Sequence, residues 1–410
     1  MRQLQFLFLA LIFLTSGSLS AIDHRQRDYE AVQEFVNSKR TIPLADKMPY
    51  IKFSGSVRAD VIRRQEKADG QNLRGPNKGF NWWDFDTEFN FKMDYKCGKT
   101  YGKLRLQSFN PMGVEAWIQP CSTDPQGLHG SGRCNDICLR DAWFGYKLCE
   151  NDCYDVKFEV GRRRLYSLFD SRIQFNERFD GAVLRTTKHI GPRSDFYLYL
   201  SAFVVDFRVN HYSYAGETGV YNILDSNIDL KYSLIHWKKN GRNRCGTESP
   251  AGSQFLNSQF TAAYVFDPGL FFCERAKFYG AFEINTAAKK REITNNEKEN
   301  IGWYIGFIAG DEDLRDAGDW AFDINYQYVQ AQAVPDRDAR GIKRGNVRRE
   351  TLYADGRGNN NFKGMHIEFV YAFSPCFSID TMYQFSHEIE KRIGGTHSYS
   401  KYEIDFIYSF

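Results

Sequence analysis

The sequence predicts an all-β protein, a transmembrane antiparallel up-and-down β-barrel of about 16 strands (roughly 14–18), with a short N-terminal periplasmic helix. Three observations lead to this prediction: long segments in which apolar and polar residues alternate, a C-terminal strand that ends on an aromatic residue, and connections that are short and long in turn. In such a barrel one face of each strand meets lipid and the other meets the lumen, and short periplasmic turns alternate with longer outer loops.

Composition agrees with this fold class and excludes others. The mean hydropathy is −0.53 although aromatic residues make up 16% of the chain, a combination expected where half of each strand faces water. Beyond the N-terminal region no apolar run approaches about 18 residues, which excludes a helical membrane protein. The net charge of +3 indicates no particular partner and gives no reason to expect nucleic acid.

The N-terminal region carries features of export. A charged start, an apolar run and small residues make residues 1–21 a predicted signal peptide that is removed on export. Residues 22–48 place apolar side chains at helical spacing from Tyr29 to Val36, which predicts a periplasmic helical segment. That helix either packs at the mouth of the barrel or acts as a plug or oligomerisation arm. The transmembrane barrel is predicted over residues 49–410.

Strands are predicted where the period is two. The clearest is 83–95, where every odd position suits lipid or its interface and every even position is polar. The last strand, 398–410, presents outward aromatic residues that act as a C-terminal signal for the barrel-assembly machinery: Tyr402, Phe406, Tyr408 and Phe410. The other candidate strands are 51–61, 101–109, 139–148, 156–162, 181–188, 195–206, 225–237, 258–266, 278–286, 302–310, 320–330, 364–373 and 377–386.

The count of candidate strands is odd, whereas an even number is expected when both ends of the chain lie in the periplasm. Counting strand directions from both ends places the mismatch between Asn222 and Phe260, and residues 207–224 are interpreted as a long outer loop. A barrel of roughly 16–18 strands leaves an aqueous channel rather than a filled core.

The stretch between Gly161 and Gly181 is an unusually charged connection between two strands. Opposed charges on a loop that folds into the lumen would narrow the pore and select solutes by size and charge; the alternative is an exposed, solvated outer loop. The candidate constriction residues are Arg162, Arg163, Arg164, Asp170, Arg172, Glu177, Arg178 and Asp180. The candidate lumen-lining residues, taken from the polar faces of strands, are Asp84, Asp86, Glu88, Asp323, His366, Glu368 and Asp380.

Three segments carry a resemblance to a known family: the passage from Phe35 to Asp60, the stretch from Gly161 to Gly181, and Ala317–Tyr328. With these, the chain resembles outer-membrane porin-type β-barrels, most closely the porins of chlamydiae and chlamydia-related bacteria. The resemblance implies passive diffusion of ions and small hydrophilic solutes through a water-filled pore, no cofactor, contact with outer-membrane lipid, and often a homotrimer.

Nine cysteines set the chain apart from ordinary porins. An exported chain meets an oxidising compartment, so disulfides are the default expectation, and an odd number leaves at least one thiol free or intermolecular. The resemblance to chlamydial proteins implies disulfide links to other envelope proteins; staples within the chain are the alternative. The disulfide candidates are Cys97, Cys121, Cys134, Cys138, Cys149, Cys153, Cys245, Cys273 and Cys376.

Enzyme chemistry finds little support, and no metal site is predicted. His366 and Glu368 share an inward face, but no nucleophilic serine pairs with them in the sequence, so they are interpreted as polar lumen residues.

The favoured function is a passive porin of the bacterial outer membrane. The alternative is a structural or adhesive, disulfide-linked surface barrel in which the 331–362 loop makes the contact.

Overall fold

A computed structural model describes the chain from residue 50 to residue 410. Its gaps are 73–81, 112–136, 152, 165–167, 175–177, 192–193, 207–210, 238–254, 270–274, 291, 312–313, 315, 336–338, 343–359 and 394. The predicted signal peptide and periplasmic helix therefore lie outside the described residues. Among the described residues, no helix is long and apolar enough to cross a bilayer.

Long β-strands make up most of the described chain, and we number sixteen of them in chain order. They are β1 Ile51–Ala68, β2 Trp82–Cys97, β3 Thr100–Pro111, β4 Ile137–Glu150, β5 Tyr154–Arg164, β6 Arg178–His189, β7 Asp195–Asp206, β8 His211–Tyr221, β9 Ile228–Trp237, β10 Phe255–Phe266, β11 Ala276–Asn285, β12 Ile301–Gly310, β13 Trp320–Val329, β14 Phe362–Ser374, β15 Phe377–Glu388 and β16 His397–Ser409. A two-residue piece, Gln71–Asn72, continues the hairpin that leaves β1.

The strands form one closed antiparallel barrel, since each pairs with its neighbours in the chain and β1 also pairs with β16. The closing seam runs from Ser56 opposite Ser409 to Ala68 opposite His397. Beyond it, the backbones of Gly55 and Phe410 exchange hydrogen bonds of 2.8 and 3.0 Å. The predicted fold class, an up-and-down barrel of sixteen strands, is confirmed.

The interpretation of residues 207–224 as a long outer loop was wrong, because they contain β8. This strand pairs with both β7 and β9. Its alternation is weak because small residues occupy both faces, among them Ala215, Gly216 and Gly219. A Cβ built on Gly219 would lie 2.8 Å from both the Tyr197 ring and the Leu230 carbonyl oxygen, so the neighbouring strands leave no room for a side chain.

The two faces of the barrel differ in polarity. Large apolar side chains stay exposed on the outer face of the strands, for example Trp83, Phe144, Phe282, Ile305 and Phe406. A water-soluble protein rarely exposes so many apolar side chains in one continuous belt. The inner face carries the buried polar residues, which include Glu88, Glu159, Glu217, Gln259 and Asn325. An apolar belt around a polar lumen is the arrangement of a barrel that spans a membrane.

Candidate functional site

Residues Leu168–Gln174, which we call the inner segment, belong to the connection between β5 and β6. Leu168 and Phe169 are fully buried and pack against inward side chains, including Phe203 and Trp237. Ile173 packs in a second cluster with Val329 and Phe362, at the far end of β13 and the start of β14. Because these side chains pack on inward faces of the barrel strands, the inner segment lies inside the barrel.

Hydrogen bonds and one ion pair hold Asp170 against β8, β9 and β10. Its backbone N–H donates to Glu217 Oε2 at 2.7 Å, and Gln259 Nε2 donates to its carbonyl oxygen at 2.7 Å. Lys231 Nζ lies 2.7 Å from Asp170 Oδ2. Burial acts to raise the pKa of Asp170, but Lys231 outweighs it, and the pKa lies below its usual value. The inner segment is therefore anchored by a carboxylate that stays charged at neutral pH.

Arg172 anchors the other half of the inner segment. Its Nη2 lies 2.7 Å from Asp323 Oδ2 on β13, and its guanidinium carbon lies 5.1 Å from the centroid of the Tyr279 ring. Tyr279 donates a hydrogen bond to the second Asp323 oxygen. Burial acts to lower the pKa of Arg172, but Tyr279 and Asp323 outweigh it, so the pKa lies above its ordinary value. Two ion pairs, Asp170–Lys231 and Arg172–Asp323, thus hold the inner segment on the strands.

The connection between β13 and β14 also turns into the lumen in its described parts. Arg340 donates from its backbone N–H to the Ile173 carbonyl and from Nη1 to the Ser171 carbonyl, each at 2.8 Å. An antiparallel bridge joins Gln174 to Ala339. Sequence reasoning missed this contact and treated the connection as an outer loop. The signal was present in the segment Ala331–Val334, whose two alanines and valine are buried.

A charged cavity of about 200 Å³ lies between the inner segment and the strand wall. Its lining carries four basic and two acidic side chains together with two tyrosines: Arg172, Lys231, Lys277, Arg340, Asp170, Asp229, Tyr279 and Tyr304. Because this lining is polar and lies in the lumen, the cavity can hold water and dissolved ions rather than an apolar ligand.

The three consecutive arginines of β5 lie in different surroundings. Arg163 faces the lumen, where it forms an ion pair with Glu159 and lies 4.1 Å over the Trp143 ring. Arg162 instead pairs with Asp180 through two hydrogen bonds of 2.8 and 2.7 Å, and both side chains are exposed. By strand alternation this pair shares the outward face of Phe158 and Leu184, so it does not line the lumen.

The remaining constriction candidates are Arg164, Arg178 and Glu177. Arg164 lies at the end of β5, and Arg178 Nε approaches Asp141 Oδ1 to 3.7 Å. Glu177 lies outside the described residues. Of the eight candidates, the structure therefore places Asp170 and Arg172 on a segment that contacts the inner wall of the lumen, and it keeps the described arginines of β5 and β6 on the strands.

The candidate lumen-lining residues all lie on inward strand faces. Asp84 pairs with Arg64 at 3.1 Å, and Glu88 pairs with Arg58 at 3.0 Å. Asp86 and Asp323 follow the same alternation on β2 and β13. His366 accepts a hydrogen bond at Nδ1 from Gln384 and donates from Nε2 to Glu368, so both ring nitrogens have partners. Asp380 lies on β15, the strand that pairs with the His366 strand β14.

Comparison with solved structures finds proteins whose fold is similar to that of this chain. OprB of Pseudomonas putida is 14% identical, with 90% of this chain and 95% of that chain covered and a TM-score of 0.49. OmpF of Salmonella typhi, in complex with daunomycin, is 11% identical over 88% and 97%, with a TM-score of 0.48. The outer membrane channel DcaP of Acinetobacter baumannii is 12% identical over 88% and 97%, at 0.44. No protein-family profile matches the chain. No curated protein sequence matches it either.

Four of the five described cysteines lie at one end of the barrel. Cys97, Cys149, Cys153 and Cys376 lie at or beside the short turns that follow β2, β4 and β14, and all carry free thiols. Cys138 is also free, and it lies in β4 near the long-loop end. Cys121, Cys134, Cys245 and Cys273 lie outside the described residues.

Proposed function

We propose that the protein is a porin of the bacterial outer membrane that lets ions and small hydrophilic solutes diffuse passively through a charge-lined pore. The observation that carries this proposal is the inner segment, held inside a polar lumen by the ion pairs Asp170–Lys231 and Arg172–Asp323. Fixed charges that narrow a wide aqueous barrel select solutes by size and charge without any moving part.

Several features of the chain agree with this location. The exposed outer aromatics of the last strand, from Tyr402 to Phe410, are placed for lipid contact and for recognition by the barrel-assembly machinery. Residues 1–21 would direct export and be removed. The barrel would then lie with its short turns in the periplasm and its long connections outside, and it would assemble as a homotrimer in the membrane.

Single-channel recording of the detergent-purified protein in a planar bilayer tests this function. In a salt gradient we expect steady conductance steps, and we expect Arg172→Ala to shift the reversal potential and raise the conductance, because it removes a charge and an anchor from the inner segment. Arg162→Ala is the matched control, since it removes the same charge from the outer face and should change neither quantity.

Two outcomes would contradict the proposal, one for the porin function and one for the role of the inner segment. A folded barrel that conducts no current would exclude the porin function. Conductance and selectivity that are equal in Arg172→Ala, Arg162→Ala and the unmodified protein would keep the porin but exclude the inner segment as its constriction.

The four free thiols at the short-turn end support a second role, as a disulfide-linked structural barrel of the envelope. Cys149, Cys153 and Cys376 are exposed and Cys97 is partly exposed. With no partner thiol among the described residues, these thiols are accessible to cysteines of neighbouring periplasmic proteins. This arrangement agrees with the resemblance to chlamydial proteins.

A non-reducing gel of isolated envelopes tests this role. We expect high-molecular-weight species that dithiothreitol converts to monomer, and we expect them to disappear when Cys97, Cys149, Cys153 and Cys376 are replaced by serine. A protein that migrates as monomer without reductant would exclude the linked envelope while leaving the porin function untouched.

A further inference from the structure

Three inward carboxylates meet at the seam that closes the barrel. Asp60 on β1 is the direct cross-strand partner of Asp405 on β16, and Glu403 lies two residues earlier on the same inward face. One oxygen from each of these three side chains lies within 4.8 Å of the others. Asp405 is in turn opposite Asp380 on β15, so a row of aspartates crosses three adjacent strands. Like charges directly opposite one another destabilise a sheet.

Arg58 compensates only part of this charge. Its Nε lies 2.8 Å from Asp60 Oδ1 and its Nη1 3.4 Å from Asp405 Oδ2, while its Nη2 is occupied by Glu88 at 3.0 Å. Lys401 contacts Glu403. The contacts of Arg58 with the two aspartates are to Asp60 Oδ1 and Asp405 Oδ2, and they do not include Asp60 Oδ2 or Asp405 Oδ1.

The same two oxygens are buried and have no hydrogen-bond partner among the described residues. The Asp60 side chain is 1% exposed and the Asp405 side chain 9% exposed. A buried carboxylate oxygen without a partner is costly, because water no longer solvates its charge. The orphaned oxygens, the opposed register and the short mutual distances are three separate observations, and a bound cation would explain all of them.

We propose that Asp60, Glu403 and Asp405 bind a divalent cation, and that the cation is Ca²⁺. Carboxylate oxygens are hard ligands, which suit Ca²⁺ and Mg²⁺ rather than a transition metal. Ca²⁺ tolerates irregular coordination of variable number, whereas Mg²⁺ requires near-ideal octahedral geometry and gives up its water reluctantly. A site fixed by a strand register and flanked by Arg58 meets the looser requirement. The ion would tie the last strand to the first and neutralise the closing seam.

Calcium binding to the full protein, purified in detergent and treated with EDTA, tests the proposal. Equilibrium dialysis against ⁴⁵Ca²⁺ should give saturable uptake of one ion per chain, with a Kd of about 10⁻⁴ to 10⁻³ M, the range of extracellular calcium modules. D60N/D405N should weaken binding at least tenfold. D94N/D155N is the matched control, because it removes two inward acids that already have lysine partners, Lys103 and Lys157.

Thermal unfolding separates a metal site from a merely structural cluster. Ca²⁺ should raise the Tm of the unmodified protein and of D94N/D155N, since a ligand that binds only the folded state stabilises it. It should not raise the Tm of D60N/D405N, whose Tm in EDTA should equal or exceed that of the unmodified protein because the repulsion is gone. If D60N/D405N does not fold, E403Q replaces it and should weaken binding.

Three results would overturn the proposal. One is the absence of saturable uptake by a folded, unmodified barrel up to millimolar Ca²⁺. A second is uptake that D60N/D405N or E403Q leaves unchanged, which would place the ion elsewhere. A Tm in EDTA that falls in D60N/D405N, together with no response of the unmodified protein to Ca²⁺, would identify the carboxylates as partners of Arg58 alone.

Discussion

Arg172 Nη2 lies 2.7 Å from Asp323 Oδ2, and this ion pair joins the inner segment to the opposite part of the barrel wall. The Asp323 side chain is mostly buried, at 12% exposed, and the Arg172 side chain is 33% exposed. Loss of either partner leaves the other charged and poorly solvated, which costs more than the loss of a surface ion pair.

We therefore expect Arg172→Ala and Asp323→Ala to be coupled. A double-mutant cycle on urea unfolding of the detergent-folded barrel should give an interaction free energy of roughly 0.5–3 kcal/mol. The pair Arg162 and Asp180, on the outer face, provides the control cycle and should give less than about 1 kcal/mol, as exposed pairs do. Equal coupling in the two cycles would show that the inner segment does not depend on its ion pair.

The pH dependence of the open pore should follow Asp170. Its pKa is lower in the folded protein than in the unfolded chain, so the Asp170–Lys231 pair stabilises the inner segment above the unfolded value of about 3.9. That stabilisation is lost as the pH falls through the lower, folded pKa. Channel closures in single-channel records should therefore be constant from neutral pH to about pH 4 and increase only below it.

The Asp170→Asn variant separates the protonation of Asp170 from acid denaturation of the barrel as the cause of channel closure. The variant lacks the charge at every pH, so it should close as often at neutral pH as the unmodified protein does in acid. A closure rate that rises in Asp170→Asn with the same acid midpoint as in the unmodified protein would assign the pH dependence to other groups.

How far the sequence determined the fold can be judged strand by strand. The strand Trp82–Cys97 was evident because large apolar and polar residues alternate over its length, and the barrel class followed from such strands. Strand His211–Tyr221 was not evident, because Gly219 and Ala215 are small for a reason that lies outside the strand. The Tyr197 ring occupies the space beside Gly219, and only the assembled barrel shows that contact.

The candidate site shows the same division. The charges between Gly161 and Gly181 marked a candidate constriction, with an exposed outer loop as the alternative, and Asp170 and Arg172 contact the inner wall of the lumen. Sequence did not show that buried apolar residues such as Leu168 and Ile173 hold the segment there, nor that Arg162 and Arg163 face opposite ways. Each of these depends on strand alternation and on partners that are distant in the chain.

The close contact at Gly219 predicts that strand β8 tolerates no side chain at this position. Gly219→Ala should lower the free energy of unfolding by about 1–3 kcal/mol, the usual cost of overpacking, and reduce the yield of heat-modifiable, folded barrel on a gel. Gly216→Ala is the matched control. Its added Cβ would meet the flexible end of the Leu200 side chain at 3.0 Å, which can move aside, and the Tyr199 carbonyl oxygen at 3.2 Å, a milder contact than the 2.8 Å approach to the Leu230 carbonyl oxygen at Gly219. Equal yields in both variants would contradict the packing argument.

The positions of the thiols predict the orientation of the barrel. Cys376 lies at the short-turn end and Cys138 near the long-loop end, so the two thiols should lie on opposite sides of the outer membrane. In variants that retain a single cysteine, a membrane-impermeant maleimide applied to intact cells should label Cys138 and not Cys376. After the outer membrane is opened, both should react, because both side chains are exposed. Labelling of Cys376 in intact cells would reverse the proposed orientation. It would also place the four free thiols of the short-turn end out of reach of periplasmic partners.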